Sequence, residues 1–148
     1  MVQNPPEGYT RVSPYLYYER PAEALDWLTQ AFGLTEKLRI PDEERGVAHA
    51  ELELGGSVIM LGRPMDSAFR NPKNLGGVTS SIYAYVDDVD SHYAAARAAG
   101  ATIERELQDQ SYGDRQYAAI DPEGHVWYFS THVKDVSPEE MPAGTASG

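Results

Sequence analysis

Two stretches of the chain alternate between polar and apolar residues, and each is followed by apolar residues at helical spacing. The alternating stretches are "RVSPYLYYE" (11–19) and "SSIYAYVDD" (80–88), whose aromatic content predicts β-strands. The segments that follow, "PAEALDWLTQAFG" (21–33) and "DVDSHYAAARAAG" (88–100), each carry one apolar stripe, which predicts amphipathic helices. Both helices are predicted to end at a glycine, which adopts the left-handed conformation at little cost.

Each predicted helix is followed by one strand and one hairpin. "LTEKLRI" and "ATIERELQ" have the composition of strands. The first hairpin is predicted from "GVAHAELEL" and "SVIMLG" around Gly55-Gly56, and the second from "RQYAAI" and "HVWYFST" around residues 121–124. The chain therefore predicts strand, helix and three strands, twice over.

The repeat has a near-constant spacing. Ser13, Tyr15 and Tyr17 recur 68 residues later as Ser81, Tyr83 and Tyr85, and "GSV" (56–58) aligns with "GHV" (124–126) at the same offset. The fold class predicted from this order is α+β, with two tandem βαβββ modules. We expect an N-terminal arm at 1–10, a first module at 11–62, a linker at 63–78, a second module at 79–133 and a flexible tail at 134–148.

Strand alternation gathers polar and aromatic side chains on the side of each sheet away from the helices, here called the inner face. A two-residue turn at Gly55-Gly56 pairs Glu51 with Met60, and a four-residue turn at 121–124 pairs Tyr117 with Tyr128. The candidate ligand-binding residues expected there are Ser13, Tyr15, Tyr17, His49, Glu51, Met60, Ser81, Tyr83, Tyr85, Arg115, Tyr117 and Tyr128. Such a mixed face is typical of a small-molecule cleft, not of a dry core.

Composition excludes several classes of function. A net charge of −11 disfavours nucleic acid as a partner, and no apolar run approaches the ~20 residues that span a membrane. The chain has no cysteine, which fits a cytoplasmic location, and its first residues do not have the pattern of a signal peptide.

The segments "PAEALDWLTQAFG", "VAHAELELGGSVIMLG" and "GDRQYAAIDPEGHVWYF" resemble the vicinal oxygen chelate superfamily, which contains glyoxalases, bleomycin resistance proteins and extradiol dioxygenases. The PhnB-like branch is the most similar. The resemblance covers about residues 11–133 and implies a curved mixed sheet around a central cavity, often closed by homodimerisation.

Enzymes of this superfamily bind a divalent metal through His or Glu on the first and fourth strands of each module. The corresponding positions here are Ser13, Met60, Ser81 and Tyr128, and none of these is an ordinary ligand for such an ion. We therefore expect no cofactor, with a divalent metal at His49 and Glu51 as the alternative.

Several candidate residues have more than one interpretation. His49 and Glu51 could hold a displaced metal, act as an acid–base pair, contact a ligand or form a structural contact. The tyrosines could line a cavity or fill a core or dimer seam. Arg115 could bind an anionic ligand, or form a salt bridge with Glu51 or Asp114. Of the other histidines, His125 is expected to make a structural hydrogen bond, and His92 and His132 to be solvated or to cap a helix.

Three hypotheses of function follow. The first is metal-independent binding and sequestration of an aromatic or antibiotic-like small molecule. The second is a glyoxalase-type lyase, isomerase or dioxygenase with an unusual metal or an acid–base site. The third is an interaction module whose cavity is filled by side chains.

Overall fold

The computed structural model of the chain describes residues 2–44 and 46–141 and contains the predicted strand–helix–three-strand unit twice. The first unit comprises β1 (Tyr15–Tyr17), α1 (Pro21–Phe32), β2 (Thr35–Asp42), β3 (Gly46–Leu54) and β4 (Ser57–Gly62). After a short helix, α2 (Pro72–Leu75), that the sequence analysis did not predict, the second unit comprises β5 (Ile82–Tyr85), α3 (Val89–Ala98), β6 (Thr102–Asp109), β7 (Asp114–Ile120) and β8 (Val126–His132).

Each unit forms one four-stranded mixed sheet, with strand orders β1-β4-β3-β2 and β5-β8-β7-β6. In both sheets the first strand runs parallel to the fourth, and the remaining pairs are antiparallel. The predicted α+β class with two tandem βαβββ modules is confirmed. A 3-10 turn at Pro138–Glu140 follows the second sheet. The predicted flexible tail at 134–148 lies outside the described residues from position 142 onward.

The two long helices begin and end where the sequence predicts. Pro21 occupies the first turn of α1, and the left-handed Gly33, with φ of 69°, ends the helix. The predicted apolar stripe is buried: Ala24, Leu25, Leu28, Ala31 and Phe32. Asp88 caps α3 by accepting a hydrogen bond from the backbone N–H of Ser91.

The helices join the two modules in one core. Phe32, at the end of α1, packs against Trp127 and Phe129 of β8, with ring centroids 5.6 and 4.7 Å apart. His92 of α3 donates from Nε2 to the Phe32 carbonyl at 2.8 Å and accepts from Tyr117 through Nδ1 at 2.6 Å. Because α1 also packs on β3 of the first sheet, the helices cover one side of both sheets and leave the inner faces for other contacts.

The register of the first hairpin is confirmed, and that of the second differs from the prediction by one residue. Glu51 pairs with Met60 as predicted, but Tyr117 pairs with Phe129 instead of Tyr128. Ile120 pairs with Val126, so five residues rather than four separate the strands. A one-residue slip moves a side chain to the opposite side of a sheet. The predicted inner-face positions of Tyr117 and Arg115 are therefore wrong, and both lie on the helix side.

Candidate functional site

The inner face of the first module carries a chain of hydrogen bonds centred on Glu51. Tyr9 of the N-terminal arm donates to Glu51 Oε1 at 2.5 Å, and His49 Nε2 lies 2.8 Å from Oε2. Because a carboxylate only accepts, His49 donates from Nε2 and accepts through Nδ1 from the Tyr15 hydroxyl at 3.0 Å. Glu51 therefore fixes Tyr9 directly and Tyr15 through His49.

The charge states on this face follow from the same contacts. Burial raises the pKa of Glu51, but hydrogen bonds from His49 and Tyr9 outweigh it and lower the pKa overall. Burial, with Tyr17 and Glu51 nearby, raises the pKa of the Tyr15 hydroxyl. At neutral pH Glu51 is therefore an anion, and Tyr15 keeps its proton as a donor.

The second module builds a similar network around Asp114, which is 3% exposed. The hydroxyls of Tyr83 and Tyr85 both donate to Asp114 Oδ2, at 2.5 and 3.0 Å, and His132 Nδ1 lies 2.7 Å from Oδ1. Burial alone raises the pKa of Asp114, but these three donors lower it overall. One buried anion thus holds two neighbouring tyrosines in place.

The fixed tyrosines present their rings to solvent. Tyr15, Tyr83 and Tyr85 are 43%, 40% and 59% exposed, although their hydroxyls are bonded to the protein. We call the pair Tyr15 and Tyr17 the first tyrosine platform and the pair Tyr83 and Tyr85 the second; their ring centroids are 5.4 and 5.6 Å apart. Exposed aromatic surface held rigid by buried polar groups is a binding feature rather than a packing feature.

Other aromatic rings extend both platforms. Phe69 of the linker lies with its ring centroid 4.7 Å from that of Tyr17. Tyr128 stacks on Tyr83 at 6.0 Å with an angle of 11° between the planes. The aromatic surface is therefore wider than the two strands that carry the repeated tyrosines.

Among the residues that the structure describes, two grooves adjoin the second platform. A groove of about 350 Å³ is lined by Ser81 and Tyr128 among others, and one of about 360 Å³ is lined by Tyr83 and Tyr85 and by the first hairpin. A larger groove of about 510 Å³ lies near Trp27 and Glu123, by the start of α1, and no tyrosine lines it. We place the candidate site at the platforms because their polar groups converge there.

The remaining predicted residues are distributed as follows. Met60 lies on the inner face, paired with Tyr15 and Glu51, and Ser13 precedes β1 with its Oγ 3.1 Å from that of Thr10. Arg115 is directed away from this face and pairs with Asp90 and Asp109, at 3.0 and 3.1 Å, so neither predicted salt bridge, to Glu51 or to Asp114, forms.

Tyr117 is fully buried between α3 and β8 and bonds His92. We exclude both Tyr117 and Arg115 from the candidate site. His125 donates from Nε2 to the Tyr17 carbonyl at 2.8 Å, which confirms its predicted structural role.

Sequence reasoning missed three residues of these networks. Asp114 and His132 pair across β7 and β8, and a five-residue loop in the predicted hairpin would have placed Asp114 on the inner face opposite His132. Tyr9 lies in an arm without periodicity, so no pattern in the sequence indicated its contact with Glu51.

The donor set does not fit the metal of the related enzymes. The hydroxyls of Ser13, Ser81 and Tyr128 and the thioether of Met60 are weak ligands for a hard or borderline divalent ion. The alternative site is also engaged, since His49 and Glu51 bond each other and two tyrosines. Within residues 2–44 and 46–141, no three His, Cys, Asp or Glu side chains are grouped to hold a metal ion.

The charge of His132 gives a first testable prediction. Both ring nitrogens face carboxylates, Nδ1 with Asp114 and Nε2 with Asp135, each at 2.7 Å. These hydrogen bonds raise the pKa of His132. The stabilisation from the charged ring is thus complete below about pH 6.5 and is lost as the pH rises through the raised value.

An NMR titration of the histidine rings measures this directly. We expect His132 to titrate above its ordinary pKa of about 6.5, and Asp135→Asn to lower its midpoint only slightly because Asp135 is solvent-screened. A midpoint for His132 at or below the ordinary value would contradict the network around Asp114.

Comparisons with known proteins identify relatives over nearly the whole chain. Residues 10–129 match the family model described as the Glyoxalase/Bleomycin resistance protein/Dioxygenase superfamily. The chain is 34% identical over 140 residues to the uncharacterised protein Mb0911c of Mycobacterium bovis, covering 92% of each.

Solved structures share the fold of this chain. TioX from Micromonospora sp. ML1 has a TM-score of 0.68 and 36% identity, covering 82% of this chain and 98% of TioX. TnmS3, described as an antibiotic binding protein from Streptomyces sp. CB03234, has a TM-score of 0.65 over 81% of this chain and 93% of TnmS3. At 16% identity, the second likeness shows the fold alone. In the described part of the chain, no helix has the length and apolar character needed to cross a membrane.

Proposed function

The chain belongs to the glyoxalase/bleomycin resistance protein/dioxygenase superfamily, and on that premise we propose that it binds and sequesters a flat aromatic small molecule without a metal. One observation carries this proposal. Both modules fix exposed tyrosine rings through buried, ionised carboxylates: Glu51 holds Tyr15 through His49, and Asp114 holds Tyr83 and Tyr85 directly. The rings are thereby oriented before any ligand arrives.

Preorganisation of this kind favours affinity. A side chain that is already ordered loses little conformational entropy on binding. Immobilising a mobile side chain, by contrast, costs about 0.5–1.5 kcal/mol of binding free energy. Stacking of a flat ring on an aromatic side chain contributes about 1–3 kcal/mol in comparable sites. The net charge of −11 adds a preference for a cationic ligand during encounter. The family model that matches residues 10–129 names bleomycin resistance proteins in its description, which supports the same class of function.

Acridine orange, a flat aromatic cation, is a suitable first probe, followed by neutral aromatic compounds of three or more rings. Fluorescence titration at 150 mM salt with EDTA is expected to show saturable binding and an unchanged compound on recovery. Absence of saturable binding below about 1 mM across this panel, or binding that requires added divalent metal, would contradict the proposal.

A second candidate function, metal-independent acid–base catalysis, rests on the order Glu51–His49–Tyr15. A carboxylate orients an imidazole, and the imidazole accepts from a hydroxyl that faces the platform, which is an arrangement suited to proton transfer. If this candidate is correct, a recovered ligand would be chemically altered by the protein and left unaltered by the His49→Ala variant.

We also propose that the protein forms a homodimer, is cytoplasmic and lies in the PhnB-like branch. The dimer is supported by the exposed aromatic rings of Tyr83, Tyr85 and Phe69, and the location by the absence of cysteine. Sedimentation equilibrium showing only a monomer at micromolar concentration would exclude the dimer.

A further inference from the structure

The tips of the two long hairpins, residues 53–57 and 121–125, meet the opposite module in different ways. They are equivalent by position: Tyr15 pairs with Met60 and Tyr83 with Tyr128, 68 residues further along in both cases. The same offset along the fourth strands equates Ser57 with His125, the residues that precede Val58 and Val126. The side chains that the two tips place at their junctions with the opposite module can therefore be compared.

The second tip is locked onto β1 and α1. The Glu123 carboxylate accepts from the backbone N–H groups of Glu19 and Arg20, at 2.6 and 2.9 Å. His125 places its ring 4.6 Å from that of Tyr18 and donates from Nε2 to the Tyr17 carbonyl. Side chains of the tip thus fill this junction between the modules.

The first tip has no such side chains. Gly55 has none at all, and Ser57 is exposed and too short to make the contact that His125 makes. A groove of about 360 Å³ occupies the junction, and its lining includes Val12, Pro14, Ser57, Ile82 and Tyr85. No charged residue belongs to this lining, so the groove suits an uncharged group.

A backbone acceptor borders this groove. Tyr18 N–H donates to the Gly62 carbonyl, and Val86 N–H donates to the Ser130 carbonyl. The hydrogen-bond register of β1 on β4 is therefore the same as that of β5 on β8. The Tyr85 carbonyl is therefore the equivalent of the Tyr17 carbonyl, and Tyr85 lines the groove at the first tip. Outside the strand ladders, no group in the described ranges of the chain is seen to donate to the Tyr85 carbonyl, whereas the Tyr17 carbonyl accepts from His125.

We infer that this groove is an anchoring subsite for a neutral, planar heteroaromatic ring that carries an N–H donor. Such a ring would supply at the first tip what the His125 imidazole supplies at the second: an aromatic body in the junction and a hydrogen bond to the exposed carbonyl. The inference rests on the proposed function, because Tyr85 borders both the groove and the second platform. The ligand would then stack on the platform and anchor its N–H ring beside Tyr85.

Indole and 1-methylindole are matched probes for this subsite. Amide shifts in a ¹⁵N NMR titration are expected at Tyr85, Val86 and residues 54–58 with indole. We expect 1-methylindole, which has no N–H donor, to bind at least about fivefold more weakly. Equal affinities for the two probes, or indole shifts located elsewhere, would overturn the inference.

The Ser57→His variant is a second test, because it introduces at the first tip the ring that fills the other junction. It is expected to abolish indole binding, and Ser67→His, a change at an exposed linker position, is expected to leave it intact. Retention of indole binding by Ser57→His would overturn the subsite. If wild-type protein binds acridine orange but not indole, the subsite is wrong and the proposed function stands. If it binds neither these probes nor the wider aromatic panel, both are wrong.

Discussion

Replacing Asp121 with alanine is expected to lower the free energy of unfolding by about 3 kcal/mol or more. Asp121 is 3% exposed and accepts from the Tyr18 hydroxyl at 2.5 Å and from the Trp127 indole N–H at 3.1 Å. Its other oxygen accepts from the backbone N–H groups of Glu123 and His125, each at 3.0 Å. The variant leaves the buried Tyr18 hydroxyl and Trp127 indole N–H without an acceptor. Each unsatisfied group lowers the free energy of unfolding by about 1–3 kcal/mol.

Urea denaturation followed by circular dichroism measures this loss, and Glu53→Ala is the matched control. Glu53 lies beside the tip of the first hairpin as Asp121 lies at the tip of the second, but it is partly exposed and has a 3.4 Å contact with Lys37. Its replacement is expected to cost about 0.5 kcal/mol or less. Similar losses for the two variants would show that the second hairpin is not locked by its carboxylate.

The second large effect concerns ligand affinity. Tyr83→Ala is expected to weaken binding of acridine orange by about 5- to 100-fold, because it removes the ring that lies between those of Tyr85 and Tyr128. Tyr83→Phe keeps the ring and loses the hydroxyl that donates to Asp114, so we expect a change within about threefold. The measurement is a fluorescence titration of each variant.

Tyr93→Ala provides the control for this prediction. Tyr93 lies on α3, packs edge-on against Tyr117 and donates a hydrogen bond to Glu106. Tyr93→Ala therefore removes the same side-chain atoms as Tyr83→Ala, but on the helix side of the sheet. Its affinity for the dye is expected to match that of the wild type. Equal losses in Tyr83→Ala and Tyr93→Ala would indicate a general loss of structure and would contradict a role for the second platform.

Local patterns were sufficient to predict most of the fold. The apolar stripe of α1 and the duplicated order of elements follow from periodicity, because helices and strands bury one side of regular structures. The first hairpin was predicted in register because Gly55 and Gly56 both adopt positive φ, as a two-residue turn requires.

The second hairpin shows where local patterns were insufficient. The Asp121 side chain accepts from the backbone N–H groups of Glu123 and His125 and holds a longer loop, with Asp121 N–H bonded to the His125 carbonyl. Turn composition indicates that a loop exists but not that it has five residues instead of four. This single residue replaced Tyr117 and Arg115 on the inner face of β7 with Asp114, which pairs with His132 of β8. Contacts of the N-terminal arm, such as Tyr9 with Glu51, depend on residues distant in sequence.

The central claim is that aromatic ligands bind at the tyrosine platforms. Mapping amide shifts by ¹⁵N NMR during titration with acridine orange, in the presence of EDTA, tests it most directly. We predict that the largest shifts occur in β1, β5 and around Tyr128. Shifts concentrated around Trp27 and Glu123, which border the larger groove near the start of α1, would contradict the account.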